Sequence, residues 1–184
     1  IQYKAKKQWR NPMKAGGHAT NYRTTPPTLA KALDCGVDEA RDFIATWFKL
    51  NPEIKEWHLR TEEELMTRGY VENKFGFKRR FMGRLDHNTL NEAQAWVPQS
   101  TVGLVINQGW QNIEKEINGR TLYGAGFYTQ ERSPVQVLLQ VHDSLVMQFK
   151  IADMKYLLPE IRECMLVEIP YDDPLTIGVG YPAL

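Results

Sequence analysis

The sequence predicts an α+β chain, a helical front part followed by a small antiparallel sheet backed by helices. Three observations predict it. Apolar residues recur every three or four positions through the first two thirds of the chain. The pattern then changes to apolar runs broken by a two-residue turn at His142-Asp143. Beyond that point the order reads strand, strand, helix, strand. At 184 residues, 42% hydrophobic and with five Trp, the chain can bury a core as one domain or two lobes. A charged share of 24% argues against disorder along its whole length.

The elements follow in order. Residues 1–25 are basic and carry Gly16-Gly17. Pro26-Pro27 breaks the chain, and Thr28 is a fair N-cap for a short helix through Leu33, ended by Cys35-Gly36. From Val37, the residues Ala40, Phe43, Ile44, Trp47 and Phe48 keep a helical period. Pro52 suits a first helical turn, and a helix is expected from Glu53 to about Arg68, with Gly69 just past its end. Tyr70–Asn73 and Arg80–Met82 read as a hairpin around Phe75-Gly76-Phe77. A polar stretch from Leu85 to Leu90 leads into a long helix whose stripe is Val102, Ile106, Trp110, Ile113 and Ile117. Asn118-Gly119 ends it. Residues 120–134 carry no clear period and read as a strand and a loop. Val135–Val141 and Ser144–Phe149 are paired strands. Met154, Leu157, Leu158, Ile161 and Met165 mark one more helix, and Leu175–Val179 a last strand.

Charge is divided unevenly. Residues 1–84 hold 17 Lys and Arg against 10 Asp and Glu, a net +7; residues 85–184 hold 6 against 12, a net −6. The front half is therefore suited to an anion, although solvated helix faces account for such a pattern equally well. No run of roughly 18 apolar residues occurs, which excludes a spanning helix. Cys35 and Cys164 make neither a disulfide framework nor a zinc site by themselves, and a reducing, intracellular setting is expected. Position 1 is Ile and no leader pattern follows, so the chain is expected to begin inside a longer product.

Four segments could carry chemistry. In Val141-His142-Asp143-Ser144 a short carboxylate stands at the rim of a sheet, where it is either a ligand for a hard cation such as Mg²⁺ or a turn residue satisfying backbone donors. Arg10, Lys14, His18 and Tyr22 recur every four residues. On a helix they form one stripe, with Arg10 and Lys14 able to clamp a triphosphate and the two rings free for a sugar and a base. Against that helix stand Gly16-Gly17, at roughly 1 kcal/mol each, and Pro12, which would have to lie in the first turn. A solvated basic segment is the alternative. In Pro98-Gln99-Ser100-Thr101, at the expected start of the long helix, Ser100 or Thr101 could cap it and Gln99 could meet a base edge or merely complete the turn. Lys78-Arg79-Arg80, the densest basic run, suits phosphate contacts or a solvated arm. His58 and His87 have no partner visible in the sequence.

Taken together and in this order, these segments resemble family A DNA polymerases, the polymerase I type, and phage-like members in particular. The resemblance covers about residues 8–181. It rests on Arg10-x-x-x-Lys14-x-x-x-His18-Ala-Thr-Asn-Tyr22, Gly69-Tyr70-Val71-Glu72 with Phe75-Gly76 and Arg79-Arg80, Pro98-Gln99-Ser100-Thr101, and Val141-His142-Asp143. The resemblance implies a helical fingers lobe over residues 1–84 and the C-terminal part of a palm over residues 85–184. It implies that Arg10 and Lys14 hold the triphosphate, that His18 lies near the sugar and that Tyr22 lies near the templating base. Gln99 would touch the duplex minor groove, His142 would lie near the primer terminus, and Asp143 would help coordinate two Mg²⁺ ions. The partners implied are primer-template DNA and dNTP, in the cytoplasm of a bacterial or phage-infected cell.

The departures from the family pattern have consequences. Arg23 stands where a glycine usually follows the motif tyrosine, Ser144 where an acid usually follows the palm aspartate, and Ala95 where an Asn usually precedes Gln99. His18 replaces the aromatic of many members. Nothing before Arg10 supplies the second palm aspartate, and exonuclease and thumb regions are absent from the sequence. The expectation is a polymerase fragment that needs an upstream segment, on the same or another chain, for nucleotidyl transfer. The rivals are a catalytically inactive nucleic-acid-binding module of polymerase-like shape and an unrelated helical interaction protein.

Overall fold

A computed structural model of the chain describes residues 2–119 and 133–180, with side chains from Asn11 onward. The described elements are α1 (Gln2–Asn21), α2 (Pro26–Leu33), α3 (Val37–Leu50), α4 (Pro52–Arg68), β1 (Tyr70–Glu72), β2 (Lys78–Arg80), α5 (His87–Asn112), a π-helical turn (Ile113–Asn118), β3 (Gln136–Val141), β4 (Ser144–Gln148), a 3-10 turn (Ile151–Asp153), α6 (Met154–Met165), β5 (Glu168–Ile169) and β6 (Leu175–Thr176). The fold is α+β, as the hydrophobic periods predict. The chain divides into two units. The first holds residues up to Val71 with Lys78–Trp96; the second holds Glu72–Phe77 with the described residues from Val97 on.

In the first unit α1 is a helix despite its two glycines, and the glycines are the reason it packs where it does. A Cβ on Gly17 would sit 2.4 Å from the Trp47 ring on α3, and one on Gly16 would sit 2.9 Å from the ring of Phe43. Only glycine admits that approach. Leu29, Ala30 and Ala40 form the buried centre, with Ala19, Leu33, Phe43 and Ile44 around it. Pro12 lies inside the helix and not in its first turn, because α1 begins at Gln2. It is exposed, where water can replace the bond that its missing N–H cannot make.

The hairpin begins at Tyr70 as expected, but its second strand starts two residues earlier than the sequence suggests. That strand is the basic run itself, Lys78–Arg80. The tip belongs to the second unit and is held by Asn73. Its Oδ1 accepts from the amides of Phe75 and Phe77, and its Nδ2 donates to Ser100 Oγ at 2.9 Å. The long helix also starts earlier than expected, at His87. Asp86 caps it by accepting from the amide and hydroxyl of Thr89, and those bonds hold its carboxyl below the usual carboxylate range. Ser100 and Thr101 are therefore interior and cap nothing; both hydroxyls donate back to the Val97 carbonyl.

The second unit packs the end of α5, the π-helical turn and α6 against one face of the β3–β4 hairpin. Ile106, Ile113, Ile117, Val135, Val137, Leu157, Ile161 and Met165 are its buried core. Val137 pairs with Met147 and Gln140 with Leu145 on the covered face; Leu139 pairs with Val146 and Val141 with Ser144 on the other. A bulge between Val137 and Leu139 lets the register skip Leu138. Buried Asn118 stands in for a strand neighbour, donating from Nδ2 to the Val135 carbonyl and accepting from the Val135 amide. The last strand is shorter than expected. It does not join β3–β4 but pairs with β5, a strand that the sequence does not reveal. Except for Ser133 and Pro134, the expectation for residues 120–134 lies outside the described residues.

Two glycines of the long helices separate close approach from mere tolerance. Gly17→Ala is expected to destabilise by ~1–2 kcal/mol, because overpacking outweighs the gain in helix propensity. Gly103 in α5 has nothing within 4 Å of an added Cβ, so Gly103→Ala is expected to stabilise by ~0.5–1 kcal/mol. Urea denaturation midpoints of the two variants check both signs.

Candidate nucleotide and nucleic-acid sites

The exposed side of α1 follows from its buried side. Gly16, Gly17 and Thr20 face the other helices and are buried, while Lys14 and His18 are exposed and Tyr22 is half-buried. One turn apart, the rings of His18 and Tyr22 meet edge to face with centroids at 4.9 Å. Lys14, His18 and Tyr22 thus share one stripe, a cation followed by two rings. The side chain of Arg10, the fourth member of the spacing, lies outside the described residues. Burial raises the Tyr22 phenol above its ordinary pKa, so the ring presents a neutral hydroxyl near neutrality.

The end of α1 is tied down by residues that the sequence gives no reason to pair. Asn21 Oδ1 accepts from Trp47 Nε1 at 2.9 Å, and the Asn21 carbonyl lies 2.8 Å from His58 Nε2. A carbonyl only accepts, so the His58 hydrogen is on Nε2. His58 is buried on α4, with Phe48 packed edge to face against its ring. Its pKa is lowered, first by burial and also by the nearby Arg23 charge, with the bond to Asn21 opposing. Arg23 follows with φ 56, a left-handed conformation costing of order 1 kcal/mol for a non-glycine residue. Its Nη2 donates to Glu62 Oε2 on α4 at 3.1 Å.

The basic strand does not present its three cations alike. Lys78 and Arg80 lie over the Tyr70 ring at 5.2 and 6.0 Å, while Arg79 lies over Phe81 and is paired with Glu92. Alternation along a strand explains the division.

In the second unit Gln99 is exposed on α5, one residue before the Ser100 that holds the hairpin tip. His142 and Asp143 are the two residues of the β3–β4 turn, both exposed. His142 has φ 53, and Ser144 Oγ closes the turn by donating to the Val141 carbonyl at 2.8 Å. Asp143 is an accessible carboxylate of the type that hard cations take. Among the described residues no group of three His, Cys, Asp or Glu side chains could hold a metal ion. The residues present supply one ligand and do not by themselves fit a two-ion centre. Among the described residues, no helix is long and apolar enough to cross a membrane.

Three comparisons bear on this arrangement. The family model described as DNA polymerase family A matches residues 2–182. The thermostable DNA polymerase I of Thermus filiformis is 28% identical over 159 residues, which is 86% of this chain and 18% of that protein. The DNA polymerase I of Pseudomonas aeruginosa is 27% identical over 153 residues, 83% of this chain and 16% of its own length. The chain thus spans less than a fifth of these relatives. Among solved structures, the POL domain of Pol1 from M. smegmatis in complex with DNA primer-template and dNTP superposes with a TM-score of 0.72 at 19% identity. The match covers 86% of this chain and 27% of that one.

His58 makes the anchoring of α1 sensitive to acid. Its folded pKa lies below the ordinary 6.5, so the unfolded chain takes up the proton first. This contribution to stability is present above that range and is lost as pH falls through it. Thermal midpoints from pH 8 to 5 are expected to fall more steeply below about pH 6.5 for the unsubstituted chain than for His58→Gln.

Proposed function

This chain belongs to DNA polymerase family A, and on that premise we propose that it is the fingers and the C-terminal palm part of a template-directed DNA polymerase. The observation that carries the reading is the exposed stripe of Lys14, His18 and Tyr22, turned outward by the glycine seam behind it. The reaction is attack of a primer 3′-hydroxyl on the α-phosphate of a dNTP with release of pyrophosphate, a transfer that depends on positioning and charge neutralisation. In this reading Lys14, with Arg10, neutralises the triphosphate, His18 lies by the sugar and Tyr22 by the templating base. Gln99 and His142 meet the primer-template duplex. Lys78, Arg79 and Arg80 meet its phosphates. The phage-like form read from the motifs belongs to this proposal, as does a cytoplasmic site of action; the relatives named above are bacterial.

Asp143 is one carboxylate for a pair of Mg²⁺ ions, which when bound would neutralise charge on the reacting phosphates. A second acidic residue has to come from elsewhere, and the proposal assigns it to an upstream segment, on this or another chain. The outer face of β3–β4 supports that assignment. Leu138 and Leu139 are each 56% exposed and Val146 is 46% exposed, an apolar surface beside the turn that carries Asp143. One observation favours a second reading. Asp143 is followed by Ser144 and belongs to no group of three His, Cys, Asp or Glu side chains among the described residues, as in a catalytically inactive nucleic-acid-binding module.

Lys14→Ala is expected to weaken dNTP binding about tenfold while leaving duplex binding nearly unchanged, the loss of one charged phosphate contact. The inactive-module reading expects no dNTP binding to lose. Titration of fluorescent dNTP and of primed DNA into both chains separates the two. With Mg²⁺ and dNTPs, the 184-residue chain alone is expected not to extend a primer; extension by the purified chain would remove the need for the upstream segment.

A further inference from the structure

Arg23 occupies backbone territory that favours glycine and carries a long cationic side chain there. The side chain is what gives that position a use. It crosses from the exit of α1 to the middle of α4 and bonds Glu62 at 3.1 Å. The two side chains are 21% and 31% exposed, against 63% and 90% for the Arg41–Asp38 pair, so solvent and salt screen this one far less. Trp47 and His58 already hold Asn21. The next residue, Tyr22, ends the stripe, with its amide donating to the Ala19 carbonyl at 3.1 Å. Arg23 closes on it from the other side.

We propose that Arg23 and Glu62 are a positioning pair that fixes the exit of α1 on α4 and so sets where Tyr22 stands toward an incoming base pair. The nucleotide half of the proposal rests on the polymerase reading above. The anchoring half rests on the geometry alone.

The test has two arms on the full chain. The amides of Arg23 and Thr24 donate to the carbonyls of Thr20 and Ala19, and their hydrogen exchange reports the closed turn. Arg23→Met and Glu62→Gln are each expected to raise that exchange about fivefold, with the double variant no faster than either single one. Amides of α3 should keep their rates. Arg23→Lys preserves the charge, and because a single nitrogen makes the bond it is expected to stay within roughly twofold of the parent. Parent rates in Arg23→Met, or multiplying effects in the double variant, would overturn the anchoring half. In the second arm, dNTP affinity is measured on primed template. The preference for the complementary dNTP is expected to fall about fivefold in Glu62→Gln at unchanged duplex affinity. An unchanged preference overturns the nucleotide half. A parent chain that binds no dNTP overturns the polymerase reading with it, and the exchange arm then decides the anchoring half by itself.

Discussion

The exposed stripe of the first unit depends on how closely α1 can lie against α3. At Gly16 and Gly17 the backbone of α1 touches the rings of Phe43 and Trp47. Any side chain there would lift the helix or turn it. Turning it would carry Lys14, His18 and Tyr22 together to another side of the unit, since all three are fixed to one axis. The roughly 1 kcal/mol that each glycine costs in helix propensity is thus offset by a contact available to no other residue. Trp47 serves both purposes, as the surface that the seam packs on and as a donor to Asn21.

The second unit uses buried amides where a larger sheet would use strands. Asn73 gathers the hairpin tip onto α5, and Asn118 gives Val135 the two bonds that a neighbouring strand would give. Buried polar groups of this kind are tolerated only when their bonds are made. Here they are made at the two places where the chain enters or leaves a strand. Short two-stranded ribbons gain a defined register in this way without the extent of a full sheet.

Much of this is legible in the sequence where a period is long enough to repeat. The stripe on α1, the apolar face of α6 and the paired strands around His142-Asp143 all show in residue spacing. The start of α5 does not, because residues 87–92 are mostly polar and their helix depends on the Asp86 cap and on tertiary packing. β5 is two residues long, too short for any period to show. Of the candidate site, the α1 stripe can be read from spacing, but its anchors cannot. His58 bonds a backbone carbonyl 37 positions away, and Arg23 bonds Glu62 39 positions away. Neither partner leaves a mark near the residue it serves. The sequence does mark Arg23 as unusual for its position, and the left-handed φ shows why that position matters.

The π-helical turn at Ile113–Asn118 sets a phase. Each of its turns holds more residues than an α-turn does, so the side chains beyond it point in directions that an uninterrupted helix would not give them. Continued as ordinary α-helix, the segment would swing the Asn118 amide around the axis, at about 100° per residue of slippage, and away from Val135. Loss of a single residue here would therefore leave every apolar side chain of the segment chemically intact and still unlatch the first strand of the hairpin. In this part of the chain, residue count is constrained more tightly than residue identity.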